Sequence, residues 1–237
     1  MPEVGEEILD FSFVGTYLPM FFSGIKLTLV ISVISIVLAT AVGVFVYALK
    51  TSRLSVGKIY PLRMVAFAFI EVMRGTPVLL QVLVAYVLVS MSPNSSSLPS
   101  NMVAMIASIS AISLNSSVYI AEIVRAGIQS VPRGQMEAAR SLGMPHFMAM
   151  KEIIMPQAIK NILPAIGNEF VAVIKGSSMA YVLGIAELTF TAKVVQGTTY
   201  KGLEPLLISA LFYLVLTFSL GRLINWAERR MKASDSH

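Results

Sequence analysis

Charged side chains sit inside or at the ends of otherwise apolar runs, among them Glu71, Arg74, Glu122, Arg125, Glu169 and Lys175. A charge in the middle of a membrane helix costs roughly 2.5–3.5 kcal/mol on insertion scales, so it faces a partner, the bundle interior or a wet path. No Ser-His-Asp set and no His-Glu-x-x-His run accompanies these residues. Cysteine is absent, which excludes a disulfide framework and a Cys-based metal or redox site. The two histidines, His146 and His237, are too few for a His-rich metal cluster. A GxxxxGK[ST] run is also missing, so the chain has no phosphate-cradling loop. Neither catalysis nor a cofactor nor a metal is expected.

Glu71 and Arg74 are three apart and share a helical face. Thr76 and Pro77 follow, where proline loosens the backbone ladder. The pair either lines a path or leaves Arg74 to snorkel to the membrane edge. Glu122 and Arg125 are expected as an interfacial pair at the end of a span, and His146 as surface or packing. Glu169 lies 13 residues past Pro156, hence about 20 Å along a regular helix and well inside the hydrocarbon. Its candidate partners are Lys175, another helix, or the ammonium group of a substrate.

The elements that carry these residues are membrane spans. Of 237 residues 56% are hydrophobic and only 13% charged, about half the charge of a soluble domain. A span needs about 20 mostly apolar residues. The expected fold is all-α and integral to the membrane, one domain over 1–237 with about five spans: 24–49, 62–91, 102–124, 156–182 and 204–226. The run 62–91 is read as one long helix broken at Gly75-Thr76-Pro77, with two short segments as the rival reading. The pairs Ala39 with Gly43 and Ala104 with Ser108 are spaced for close helix approach. Thirteen of the 18 basic residues fall in 50–63, 125–160 and the tail from Arg222, which five spans place on one side. The positive-inside rule then puts the N-terminus outside and the C-terminus in the cytoplasm. The first ten residues hold Glu3, Glu6, Glu7 and Asp10 and no base, unlike a secretory signal.

The longest cytoplasmic loop, 131–156, is the informative one. Pro132 suits a first helical turn and Gly143 a left-handed stop. Pro145 can open a second short helix over 145–155, ending before Pro156. The result is a helix-turn-helix that could dock into a groove on another protein or be a solvated connection. Its Glu137-Ala138-Ala139, Gly143, Ile153 and Pro156 resemble, in type and spacing, the EAA loop of ABC importer permeases, with Met155 where the family has Leu. Further similarity to the polar amino acid uptake (histidine/glutamine-type) branch runs from about residue 20 to 231. It includes 71–77 with Gln81, Leu114-Asn115-Ser116, 119–125, 164–168 and Gly184-Ile185-Ala186-Glu187-Leu188.

That resemblance implies a permease subunit of an ATP-driven importer, multi-pass in the bacterial cytoplasmic (inner) membrane, moving a polar amino acid inward. It implies a dimer with an identical or related permease, two ATP-binding cassette ATPase subunits and an extracytoplasmic amino-acid-binding protein. Glu137, Ala138, Ala139, Arg140 and Gly143 would then couple to the ATPases. Glu169, Glu71, Arg74, Thr76, Asn115 and Ser177 would line the substrate path. Members of the branch commonly carry Asp where this chain has Gly176, which points to a neutral or acidic substrate rather than a cationic one. A channel or ion-driven secondary transporter without ATPase partners is the alternative, and it has no use for the loop 131–156. A membrane scaffold that transports nothing would have no use for Glu169 inside a span.

Overall fold

The computed structural model describes residues 9–55 and 57–233. Glu3, Glu6, Glu7 and His237 lie outside the described residues, as does the side chain of Lys232. The regular structure is helical. Helix α1 spans Val14–Thr51, α2 Pro61–Gly75, α3 Val78–Ser90 and α4 Ser100–Gln129. Two short helices follow, α5 Arg133–Ser141 and α6 His146–Ala149, and then α7 Met155–Gly176, α8 Leu188–Thr199 and α9 Glu204–Ala233. By length and hydropathy α1, α4 and α9 can each cross a membrane alone; two bent pairs raise the number to five if each counts as one span.

Helix α1, at 38 residues, is about 57 Å long. It starts ten residues before the expected span because Phe13 and Phe21 are buried against Leu188, Ala192 and Val195 of α8. Much of its buried face is small, beside Phe21, Ile31, Ile36 and Val46. Thr28, Ser32, Ser35, Ala39 and Gly43 are buried, while Val33, Val37, Leu38, Val44 and Phe45 are exposed. Lipid solvates bulky apolar side chains as well as the protein interior does, so small residues go to the contact where backbones must approach. The facing stripe on α4 is equally small: Ala104, Ala107, Ser108, Ala111 and Ser117 are buried. The hydroxyls of Ser35 and Ser108 lie in this seam with no hydrogen-bond partner, so volume decides the choice of residue there.

The run 62–91 divides into α2 and α3, which meet at a 113° bend. Thr76 adopts extended backbone (φ −117°, ψ 142°), the conformation forced on a residue before proline. Both arms nevertheless touch α4. Ile70 packs with Val118 and Ala121, and Gln81 reaches Asn115.

Two expectations are corrected. The second short helix does not stop before Pro156. It passes from α6 through a π turn at Met150–Ile154 into α7, with Pro156 at the start of α7. The proline lacks an N–H, the wider turn absorbs the missing bond, and Gln157 Nε2 donates to the Ile153 carbonyl at 2.8 Å. The expected span 156–182 ends in a 3₁₀ stretch over Ser177–Leu183, and the connection after it, for which no element was expected, forms the helix α8. Helix α9 returns along α7 and meets it closely at Gly167, where an added Cβ would sit 2.9 Å from Ile224.

A Cβ on Gly43 would lie 2.7 Å from Ile120 and from the Ser117 carbonyl oxygen. Gly43→Ala should therefore destabilise the chain by about 1–3 kcal/mol through overpacking, seen as a lower thermal midpoint in detergent. Gly221 has open space, and Gly221→Ala should hold or raise the midpoint because alanine is the better helix former. Equal midpoints for the two variants would rule out a tight α1–α4 seam.

Candidate functional site

The break between α2 and α3 leaves carbonyls without helical partners, and in a lipid-surrounded bundle no water supplies one. Gln81, one turn into α3, closes the gap. Its Nε2 donates to the Met73 carbonyl at 2.9 Å, the Thr76 carbonyl at 3.1 Å and Thr76 Oγ1 at 2.8 Å. Asn115 on α4 donates to Gln81 Oε1 at 3.0 Å and to the Met73 carbonyl at 3.3 Å. Thr76 Oγ1 donates to the Val72 carbonyl at 2.8 Å. Thr76 and Asn115 thus brace the bend, together with Gln81, to which the sequence reasoning gave no role. An amide one turn after a helix-breaking proline was the available signal.

Beside this brace lies a cavity of about 270 Å³ lined by Val72, Met73, Leu80, Val84, Leu88 and Leu114 among others. Glu71 and Arg74 are exposed. The Arg74 guanidinium stands 5.9 Å from the Tyr119 ring centroid, a cation–π distance.

Glu169 is half-buried in α7, with the side chain of Ser116 on α4 beside its carboxylate. Lys175 is exposed and forms no ion pair with Glu169. Ser177 is fully buried and its hydroxyl donates to the Ile174 carbonyl at 2.8 Å, so it faces the bundle and not an open path here. A Cβ at Gly176 would meet nothing within 4 Å. Glu122 and Arg125 form an ion pair, with Arg125 Nε 2.9 Å from both carboxylate oxygens.

A second buried carboxylate escaped the sequence reasoning. Glu187, with no exposed surface, caps α8 by accepting from the N–H groups of Thr189 (2.9 Å) and Phe190 (2.8 Å). The Tyr213 hydroxyl on α9 donates to it at 2.8 Å. Thr28 Oγ1 on α1 accepts from Leu188 N–H at 3.2 Å. This one turn holds α1, α8 and α9 together.

The loop 131–156 folds as two short helices about a glycine turn. Gly143 has φ +85°, open to glycine and strained for other residues. Its N–H donates to the Arg140 carbonyl at 3.0 Å, and Arg140 Nη1 donates to the Met144 carbonyl at 2.9 Å. Glu137 and Arg140 form no ion pair with each other. Glu137, Ala138 and Arg140 are exposed and Ala139 is buried. Leu142 is 84% and Phe147 78% exposed, two large apolar side chains standing out of a polar loop. The sequence reasoning missed both. His146 lines a groove of about 480 Å³ with Gln129, Arg133, Met136 and Ile154.

A family model of binding-protein-dependent transport system inner membrane components matches residues 60–233. An arginine transport system permease of Bacillus subtilis (strain 168) is 36% identical over 231 residues, covering 96% of this chain and 99% of that one. A probable glutamine ABC transporter permease of the same organism is 38% identical, over 91% and 94%. The glutamine transport system permease of Escherichia coli (strain K12) is 32% identical, over 94% and 98%. The crystal structure of an amino acid ABC transporter with histidines matches with TM-score 0.81 and 42% identity, over 94% of this chain and all of that one. An inward-facing methionine ABC transporter shares the fold, with TM-score 0.69 at 15% identity. With that match over most of its length, and with full-length relatives above 30% identity, the chain belongs to the inner membrane components of binding-protein-dependent transport systems, the ABC transporter permeases.

Proposed function

We propose that this chain is the membrane permease of an ATP-driven importer that moves a polar amino acid inward across the cytoplasmic membrane. It works beside a second, identical or related permease, two ATP-binding cassette ATPase subunits and an extracytoplasmic amino-acid-binding protein. The loop 131–156 carries this reading. A rigid turn at Gly143 presents Leu142, Phe147, Glu137 and Arg140 to solvent, and exposed apolar knobs ringed by charge suit a protein contact. Closure of the ATPases draws the loops together and tilts the bundle through α7, so the path faces outward and then inward. Glu169 with Ser116, Glu71, Arg74 and the braced bend at Thr76 and Asn115 are assigned to that path. The N-terminus is outside and the C-terminus cytoplasmic.

The relatives are named for arginine and for glutamine, so their names do not decide the charge of the substrate. The absence of a carboxylate at Gly176 favours a neutral or acidic side chain.

Orientation is tested with single cysteines in the cysteine-free chain. An impermeant thiol reagent outside sealed cells should label positions 93–100 and spare 131–150, and labelling of the second set would reverse the topology. Coupling is tested with Gly143→Arg, which puts a bulky side chain on a left-handed backbone. The variant should insert normally yet lose ATPase association and uptake at least tenfold; normal uptake at normal expression would reduce the loop to a connection. The path is tested by uptake in reconstituted complex. Glu169→Gln should lose uptake while assembly and basal ATPase activity persist, and Gly176→Asp should shift competition toward cationic amino acids. Normal transport by Glu169→Gln, or its failure to assemble, would make Glu169 a structural residue.

A further inference from the structure

Helix α8 ends at Tyr200, which adopts φ 57° and ψ 18° and is the only non-glycine with positive φ among the described residues. Glycine or asparagine normally takes that left-handed position after a helix, and a bulky side chain there is an outlier. Packing does not explain it, because Tyr200 is 94% exposed. The surrounding turn is tied down instead. Gln196 Nε2 donates to the Gly202 carbonyl at 2.5 Å, and Thr199 Oγ1 to the Val195 carbonyl at 2.7 Å. Lys201 is ion-paired with Asp10, whose N–H donates to Glu204 Oε1 at 3.2 Å. The Lys201 ammonium, aided by the Ser12 N–H, holds the Asp10 carboxyl down at about 2. The tie is therefore present from neutral pH downward and is lost only as pH falls through that value.

A strained backbone survives where its surroundings over-determine it, and such residues cluster at clamps and binding sites. Here the strain fixes an aromatic ring in the open. Tyrosine is among the residues that dominate interface energies, and a pre-positioned ring loses little freedom on binding. Exposed Lys193 and half-buried Gln196 supply a polar rim with basic character. The turn lies at the end of the bundle away from the loop 131–156, since α9 leaves it at Glu204 and reaches α7 at Ile224. A tyrosine at the headgroup layer needs no fixed backbone, so lipid anchoring leaves the strain unexplained.

We infer that Tyr200 is a contact anchor for the extracytoplasmic amino-acid-binding protein, received in a pocket with an acidic margin facing Lys193. This assignment rests on the importer reading above. The test uses the complex with its ATPase subunits in proteoliposomes, titrated with the purified binding protein encoded alongside the permease, with ATP hydrolysis as readout. Tyr200→Gly relaxes the left-handed backbone, so the fold is retained while the ring is lost. It should raise the half-stimulating concentration at least tenfold and leave the rate without binding protein unchanged. Tyr200→Phe, which keeps the ring, should recover most of the response. A titration of Tyr200→Gly that overlays the wild type overturns the assignment. A lower thermal midpoint with an unchanged titration also overturns it, in favour of a lipid anchor. A wild-type complex that the binding protein never stimulates overturns the importer reading itself, and this assignment with it.

Discussion

A backbone carbonyl or N–H in hydrocarbon finds no water, so every interruption of a membrane helix must bring its own partner. At two breaks among the described residues a nearby Gln or Glu side chain supplies the missing bonds. At Thr76-Pro77 the partner is Gln81, steadied by Asn115. At the Gly184 turn it is Glu187, which takes the two free N–H groups at the start of α8. At Pro156, where the chain stays helical, Gln157 Nε2 adds a bond to the Ile153 carbonyl. The breaks are thus specified features of the sequence. Those at Thr76-Pro77 and Gly184 redirect the chain where Asn115 of α4 and Tyr213 of α9 share the repair.

The same solvent explains the packing. Apolar burial offers α1 and α4 little advantage over lipid, so their association depends on fit and dispersion. Gly43 against Ile120, Gly24 against Leu188 and Gly167 against Ile224 are points where a side chain would collide. Bulky residues such as Val37 and Phe45 of α1 and Leu214 and Phe218 of α9 stay on the outside.

Much of this was legible in the sequence. Hydropathy located the long helices, and glycine and proline signals the Gly75-Thr76-Pro77 break and the turn at 143, because these depend on local chain properties. The seam residues Ala39 and Gly43 were visible as a spacing, but nothing local says which helix a small residue faces. The burial of Glu187 was unreadable because it depends on Tyr213, 26 residues away, although its cap on α8 is local. Leu142 and Phe147 were overlooked because an apolar residue in a short helix reads as packed until its neighbours are known. The π turn was missed for a different reason. Proline is a stop signal, and only the continuation into α7 shows that a widened turn can carry a helix through it.

That widened turn has a mechanical consequence for the proposed coupling. From His146 to Leu183 the chain runs as helix with no non-helical gap, so the loop and Glu169 sit on one nearly rigid body. A tilt imposed at Phe147 is carried to Glu169 without passing through a flexible connection. Between the loop and the membrane part of α7 the hydrogen bonding widens at Met150–Ile154. A π segment exchanges bonds with its neighbours at small cost compared with a regular helix, and such segments are frequent at functional sites. The lever therefore has its compliance at the base and its stiffness at the bundle, where α4 grips it through Gly127 and Ile162 and through Ser116 on Glu169. A motion entering at the loop must then either shift α7 against α4 as a unit or break the Ser116–Glu169 contact, and in both cases the half-buried carboxylate changes its surroundings.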